Sequence, residues 1–112
     1  MAKVEKIELG ALKVNDRGRM DRNEIIIEMV DEMQKLTAKA EALARDTSRS
    51  LEDRYNGIKN ICGRFCGLSN FLNCTIKIEV RDTDGSLYTQ KMFNRIYYHE
   101  TMLKIELGRA GQ

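Results

Sequence analysis

Polar and apolar residues alternate in three short stretches: Lys6-Ile7-Glu8-Leu9-Gly10, Lys77-Ile78-Glu79-Val80 and Lys104-Ile105-Glu106-Leu107-Gly108. The first and last of these are the same pentapeptide. A period of two is the mark of a strand with one face buried and one wet, so the pattern predicts a small sheet with strands from both ends of the chain. Between the first two stretches the period changes. A 3–4 spacing of small or apolar residues runs through Ile26, Val30, Met33, Thr37, Ala40, Ala44, Thr47, Leu51, Tyr55, Ile58, Cys62 and Phe65, which is the seam of a long packed helix or of a helix pair.

Local signals set the boundaries. Lys3 to Val14 reads as the first strand region, with Gly10 as a bulge or bend, and Asn15-Asp16-Arg17-Gly18 as a turn. Asp21 stands three residues before Glu24, a capping-box arrangement that predicts a helix start near Arg22. The weak point of the helical seam is Asp46-Thr47-Ser48-Arg49-Ser50, where Ser50 with Asp53 supplies a cap for a second helix. With that cap in use the pattern is a helical hairpin. Otherwise it is one continuous rod on the order of 65 Å long at 1.5 Å per residue. Gly67 to Asn70 supplies residues tolerant of positive φ for the helix end.

Beyond it the chain reads as three strands. They are Thr75 to Arg81, with Ile76, Ile78 and Val80 facing the core, then Leu87 to Tyr98, then Met102 to Leu107. Asp82-Thr83-Asp84-Gly85 carries the Asp-Gly turn signal, and His99-Glu100-Thr101 forms the second turn. The expected architecture is therefore one α+β domain over residues 1–112. It has an N-terminal strand, a long helix or helical hairpin, and a C-terminal three-stranded antiparallel meander. Because Ile25, Ile27, Met29, Leu36 and Leu43 widen the apolar helix face beyond what so small a sheet covers, a homo-oligomer is expected.

Composition narrows the partners. The 112 residues carry 19 Lys plus Arg against 17 Asp plus Glu, a net charge of +2. This is too even for a strong binder of long nucleic acid, although charge can still segregate by face. No stretch approaches the ~18 consecutive apolar residues of a membrane span, and no membrane partner is expected. Three cysteines, an odd number, without an apolar leader at the start read as reduced thiols in a cytoplasmic protein.

Catalytic and metal patterns are thin. Cys62, Cys66, Cys74 and His99 could make a four-ligand set, but Cys-x3-Cys inside a helix is not the tight knuckle that structural zinc uses. The cysteines are read instead as small core hydrophobes. Asp82-Thr83-Asp84-Gly85 opens like a calcium loop, yet the twelfth position from Asp82 is Phe93 where glutamate is required. His99 has no visible base or nucleophile beside it, so neither an enzyme nor a cofactor is expected.

The third predicted strand is richer. Alternation places Met92, Asn94, Ile96 and Tyr98 on one side and Lys91, Phe93, Arg95, Tyr97 and His99 on the other. Rings interleaved with cations suit a nucleotide, because aromatics stack on a base while Arg and Lys neutralise phosphate. Cross-strand pairing of those cations with Glu79 and Glu106 is the plainer reading of the same face. A second polar cluster surrounds the helix end at Arg64, Ser69, Asn70, Phe71 and Asn73. The ligand-binding candidates are thus Arg64, Phe71 and Asn73, with Phe93, Arg95, Tyr97, His99 and Lys104.

The run Gly57-Ile58-Lys59-Asn60-Ile61-Cys62-Gly63-Arg64-Phe65-Cys66-Gly67-Leu68-Ser69-Asn70, followed by Phe93-Asn94-Arg95-Ile96-Tyr97-Tyr98-His99, resembles the phage Thoeris anti-defence sponge family of the first type in layout. That resemblance implies an oligomeric phage protein that sequesters a cyclic ADP-ribose isomer, a bacterial immune signal, without cleaving it. The competing expectation is a protein-binding inhibitor or oligomeric adaptor that uses the long helix as its contact surface.

Overall fold

The computed structural model describes residues 5–8 and 22–110. In order, the elements are β1 (Glu5–Glu8), α1 (Arg22–Arg45), α2 (Leu51–Asn70), a π-helical turn (Phe71–Thr75), β2 (Ile78–Arg81) and α3 (Tyr88–Ala110). The turn expected at Asn15–Gly18, the Asp21 cap and the Gly10 bend lie outside the described residues.

The hairpin alternative for the middle of the chain is the one adopted. Ser50, with extended backbone, accepts a hydrogen bond from the Asp53 amide and starts α2 afresh, satisfying one of the donors that a helix start leaves open. Asp46 draws in the Ser48 amide and hydroxyl at the turn and pairs with Arg49. The two helices then run antiparallel. Arg54 Nη1 donates to the Ala44 carbonyl at the end of α1, and Gly57 lies so close to α1 that a Cβ there would sit 2.4 Å from Leu43 Cδ2.

The meander is not formed. Leu87 to Tyr98 and Met102 to Leu107, both expected as strands, are parts of the single helix α3. The described residues form a three-helix bundle carrying one parallel pair of four-residue strands, not an α+β meander. The physical reason is visible in the residues that face inward. Thr89, Met92, Ile96 and Leu103 are buried on α3, and steps of three, four and seven belong to a helix. Met92 and Ile96, four apart, satisfy both periods, which is how the strand reading arose. The Asp82–Gly85 turn does form, with the Gly85 amide donating to the Asp82 carbonyl and Gly85 at φ +84°. It delivers the chain into α3 after one antiparallel bridge between Arg81 and Leu87.

β1 pairs with β2 in parallel, Lys6 opposite Glu79 and Ile7 opposite Val80, so the first and second alternating stretches do meet. A parallel pair needs a long crossover, and the α1–α2 hairpin provides it. Ile78 and Val80 are fully buried as expected, while Ile76 is only half-buried beyond the end of the π turn. α2 ends at Asn70 without a positive-φ residue. The backbone widens into the π turn, where the Ile76 amide donates to the Phe71 carbonyl. It reverses only at Lys77, whose φ is +63°.

Ile26, Val30, Met33 and Ala40 of α1 meet Ile58, Ile61 and Phe65 of α2 and Met92, Ile96 and Leu103 of α3 in one core. Thr37 is tolerated there because its hydroxyl bonds the Met33 carbonyl one turn back. Met29 and Leu36, cited above as surplus apolar surface, are buried within the chain. The sheet expected to cover α1 is replaced by α2 and α3; Ile27 and Leu43 are half-buried and only Ile25 of the five stays exposed, and so most of α1's width no longer argues for association.

Candidate functional site

α3 decides which candidate residues share a surface. It runs parallel to α1, since Gln34 bonds the Tyr88 hydroxyl and Glu41 holds Arg95 at 2.6 Å, both over the same sequence interval. Residues four apart stay on one flank of a helix, whereas residues two apart separate by about 200°. The row Lys91, Phe93, Arg95, Tyr97 and His99 is therefore split. Phe93 and Tyr97 remain together, their rings stacked at 5.6 Å and 15°. Lys91 is drawn to the turn by Asp82 and Asp84, Arg95 is held on α1, and His99 lies edge-on to Tyr98 at 5.2 Å.

The Phe93–Tyr97 pair borders a groove between α2 and α3. Its walls are Cys66, Ser69, Asn70 and Asn73 on one side and Leu87, Thr89, Gln90 and Phe93 on the other, enclosing about 240 Å³. Phe93 is anchored from below by Phe65, 6.3 Å away, while Tyr97 is 53% exposed and offers an open ring face. Asn73 donates through Nδ2 to the Ser69 hydroxyl at 3.3 Å, and its Oδ1 is buried without a partner among the described residues. Asn73 belongs to the π turn, a distortion that often marks functional positions. Lys104, one helical heptad beyond Tyr97, is exposed on the same flank of α3.

Of the eight expected ligand residues, Asn73 and Phe93 thus face one groove, with Tyr97 and Lys104 continuing its α3 wall. Phe71 is exposed at the start of the π turn. Arg64 departs from the set, because it lies on the opposite flank of α2 in a wider cleft against α1. That cleft, about 740 Å³, is lined by Lys39, Asp46, Arg49, Gly57, Asn60 and Arg64 among others. Gln90 and Thr89 were not anticipated. Gln90 lies three residues before Phe93 and seven before Tyr97, a relation visible only once the segment is read with a helical period.

The cysteines do not assemble with His99. Cys62 and Cys66 neighbour each other on α2 with Glu100 beside Cys62, whereas Cys74 is exposed in the π turn. Among the described residues no group of three or more His, Cys, Asp or Glu side chains is placed to hold a metal ion. Burial pushes the Cys62 thiol up to about 12, with Cys66 and Glu100 adding to the effect. A thiol so held stays protonated at neutral pH and is a poor nucleophile. In the Asp82–Ser86 turn, hydrogen bonds from Ser86 and then Lys91 hold the Asp84 carboxyl well below the ordinary carboxylate range. Both aspartates of the calcium-like stretch are occupied by Lys91.

Comparison with protein-family models, with curated proteins and with solved structures gives no match to this chain. Among the described residues no helix is long and apolar enough to cross a membrane.

Proposed function

We propose that this protein captures a small phosphorylated nucleotide in the α2–α3 groove and holds it without chemical change. The observation that carries the reading is the Phe93–Tyr97 stack, one ring locked on the core and the other open to solvent. A base laid on the open face of Tyr97 gains about 1–3 kcal/mol. Turning the half-buried Asn73 side chain toward the groove presents its amide to the base edge, and Lys104 meets phosphate by a charge-assisted bond. The cyclic ADP-ribose isomer implied by the sequence resemblance is the first ligand to test, with sequestration of an immune signal as the corresponding biological role. Arg64 and Arg95, both ligand-binding candidates in the sequence, have no part in this groove.

The test is mass spectrometry of small molecules released from the purified protein by heat, followed by calorimetric titration with the recovered species. Recovery of an intact nucleotide whose affinity falls ~5-fold or more in Tyr97→Ala supports capture. A chemically altered product overturns it in favour of an enzyme. An empty protein that binds no nucleotide favours the adaptor reading, for which the exposed side chains of Tyr98, Met102 and Ile105, in one line along α3, are the supporting observation.

A further inference from the structure

The cleft between α1 and α2 encloses about 740 Å³, against about 240 Å³ for the groove beside Phe93, and a concavity of that size accommodates a small molecule. Its depth has a local cause. Gly57 has no side chain, and Leu43 of α1 lies where a Cβ would stand. With Ala42 and Ile61 these residues make a low apolar floor between longer polar side chains.

Charge is uneven along the cleft. The helices run antiparallel with Gly57 beside Leu43, which sets Lys39 opposite Asn60 and Ile61, with Arg64 about one turn further along. Lys39 and Arg64 are exposed, and neither side chain has an ion pair or hydrogen bond among the described residues. This end of the cleft is doubly cationic. Its middle, at Leu43, Gly57 and Asn60, is uncharged. At the other end Arg49 Nε pairs with Asp46 at 3.3 Å, and Asp46, the one carboxylate of the lining, also accepts from the Ser48 amide and hydroxyl.

The charges around the rim leave the cationic end open. Lys35, one turn from Lys39, is engaged by Asp31 at 3.1 Å. Glu32 borders Arg64 on the side away from Lys39, beside Leu36 and Gly67, and forms no ion pair with it among the described residues. Glu28 lies a further turn from Arg64 on that flank of α1, and Asp53 stands one turn beyond Gly57 on α2, at the Arg49 end.

We propose that the α1–α2 cleft is a second ligand site, one that takes a phosphate monoester. Such an ester carries close to two negative charges at neutral pH, which matches two free cations facing each other across the cleft. Lys39 and Arg64 hold the phosphate by charge-assisted bonds. The carbon body lies over Leu43 and Ile61, and the Asn60 amide bonds its polar edge. This site is separate from the α2–α3 groove and does not rest on nucleotide capture there.

Calorimetric titration of the full chain with phenyl phosphate, and in parallel with inorganic phosphate, tests the assignment. Phenyl phosphate is expected to bind more tightly than inorganic phosphate, and less tightly as salt is raised. Lys39→Ala and, separately, Arg64→Ala weaken it about tenfold with far-UV circular dichroism unchanged, whereas Tyr97→Ala leaves it as it was. Ala42→Trp, which fills the middle of the cleft, weakens phenyl phosphate and spares inorganic phosphate. A protein that does not bind phenyl phosphate overturns the proposal, as does binding indifferent to both cation substitutions. Loss of binding in Tyr97→Ala also overturns it, since the ester would then sit in the α2–α3 groove. Equal affinity for the two probes, untouched by Ala42→Trp, overturns the place given to the carbon body.

Discussion

Gly57 shows how much one position controls in this chain. A Cβ there would meet Leu43 Cδ2 at 2.4 Å, so any side chain at this position forces the Leu43 side chain out of its place between α1 and α2. Gly57→Val should destabilise the fold by about 1–3 kcal/mol through overpacking, read as a lowered urea midpoint. Gly63 and Gly67 have open space beside them, so Gly63→Ala should be tolerated. Cys62 gives a second residue-scale prediction. Its folded thiol keeps its proton up to about 12, higher than an unfolded thiol, so the unfolded chain loses that proton first. The corresponding stability is fully present below about pH 9 and is lost as pH rises toward 12. Melting temperature should therefore decline over that alkaline range, less steeply in Cys62→Ala, and iodoacetamide should modify exposed Cys74 well before Cys62.

At the scale of elements, the cap that separates α1 from α2 stood in the sequence as one of two alternatives, a hairpin or a continuous rod, and it rests on short-range chemistry. Ser50 and Asp53 are three residues apart, and the cap they form needs no distant contact. Ser50→Ala should cost about 1 kcal/mol, measurable as a lower thermal midpoint with helix content retained. The Asp82–Gly85 turn was legible for the same reason. α3 was not. Its residues Leu87 to Tyr98 include Tyr, Phe and Ile, which suit strands as readily as a half-buried helix, and its most telling apolar pair fits both periods. Phe93 and Tyr97 share a face in either structure because a spacing of four fits both periods. The cations placed beside them, at odd numbers two apart, were carried to other flanks.

At the scale of the whole molecule, a single core ties the three helices together. Phe65 is fully buried in it and also supports Phe93. Phe65→Ala should therefore destabilise the protein by about 3–5 kcal/mol and loosen the ring stack, so that nucleotide affinity falls even in the fraction that remains folded. Comparing chemical denaturation with titration under native conditions separates the two effects.

The repeated pentapeptide marks the division between what was written locally and what was not. Lys6, Ile7 and Glu8 lie in strand β1, whereas Lys104 to Gly108, the same five residues, are helical. By itself the sequence determined the helical seam of α1 and α2, the turn at Gly85 and the burial of Ile78 and Val80, since each follows from neighbours within a turn or a strand, and it offered the cap at Ser50 as one of two alternatives between which the structure decided. Only the tertiary structure decided that Met102 to Leu107 would join a helix and that Arg64 and Phe93 would lie on different sides of α2. A segment whose apolar residues fit two periods takes the one that buries them against its neighbours. For α3 those neighbours are α1 and α2, whose apolar faces are already in place to receive Met92, Ile96 and Leu103.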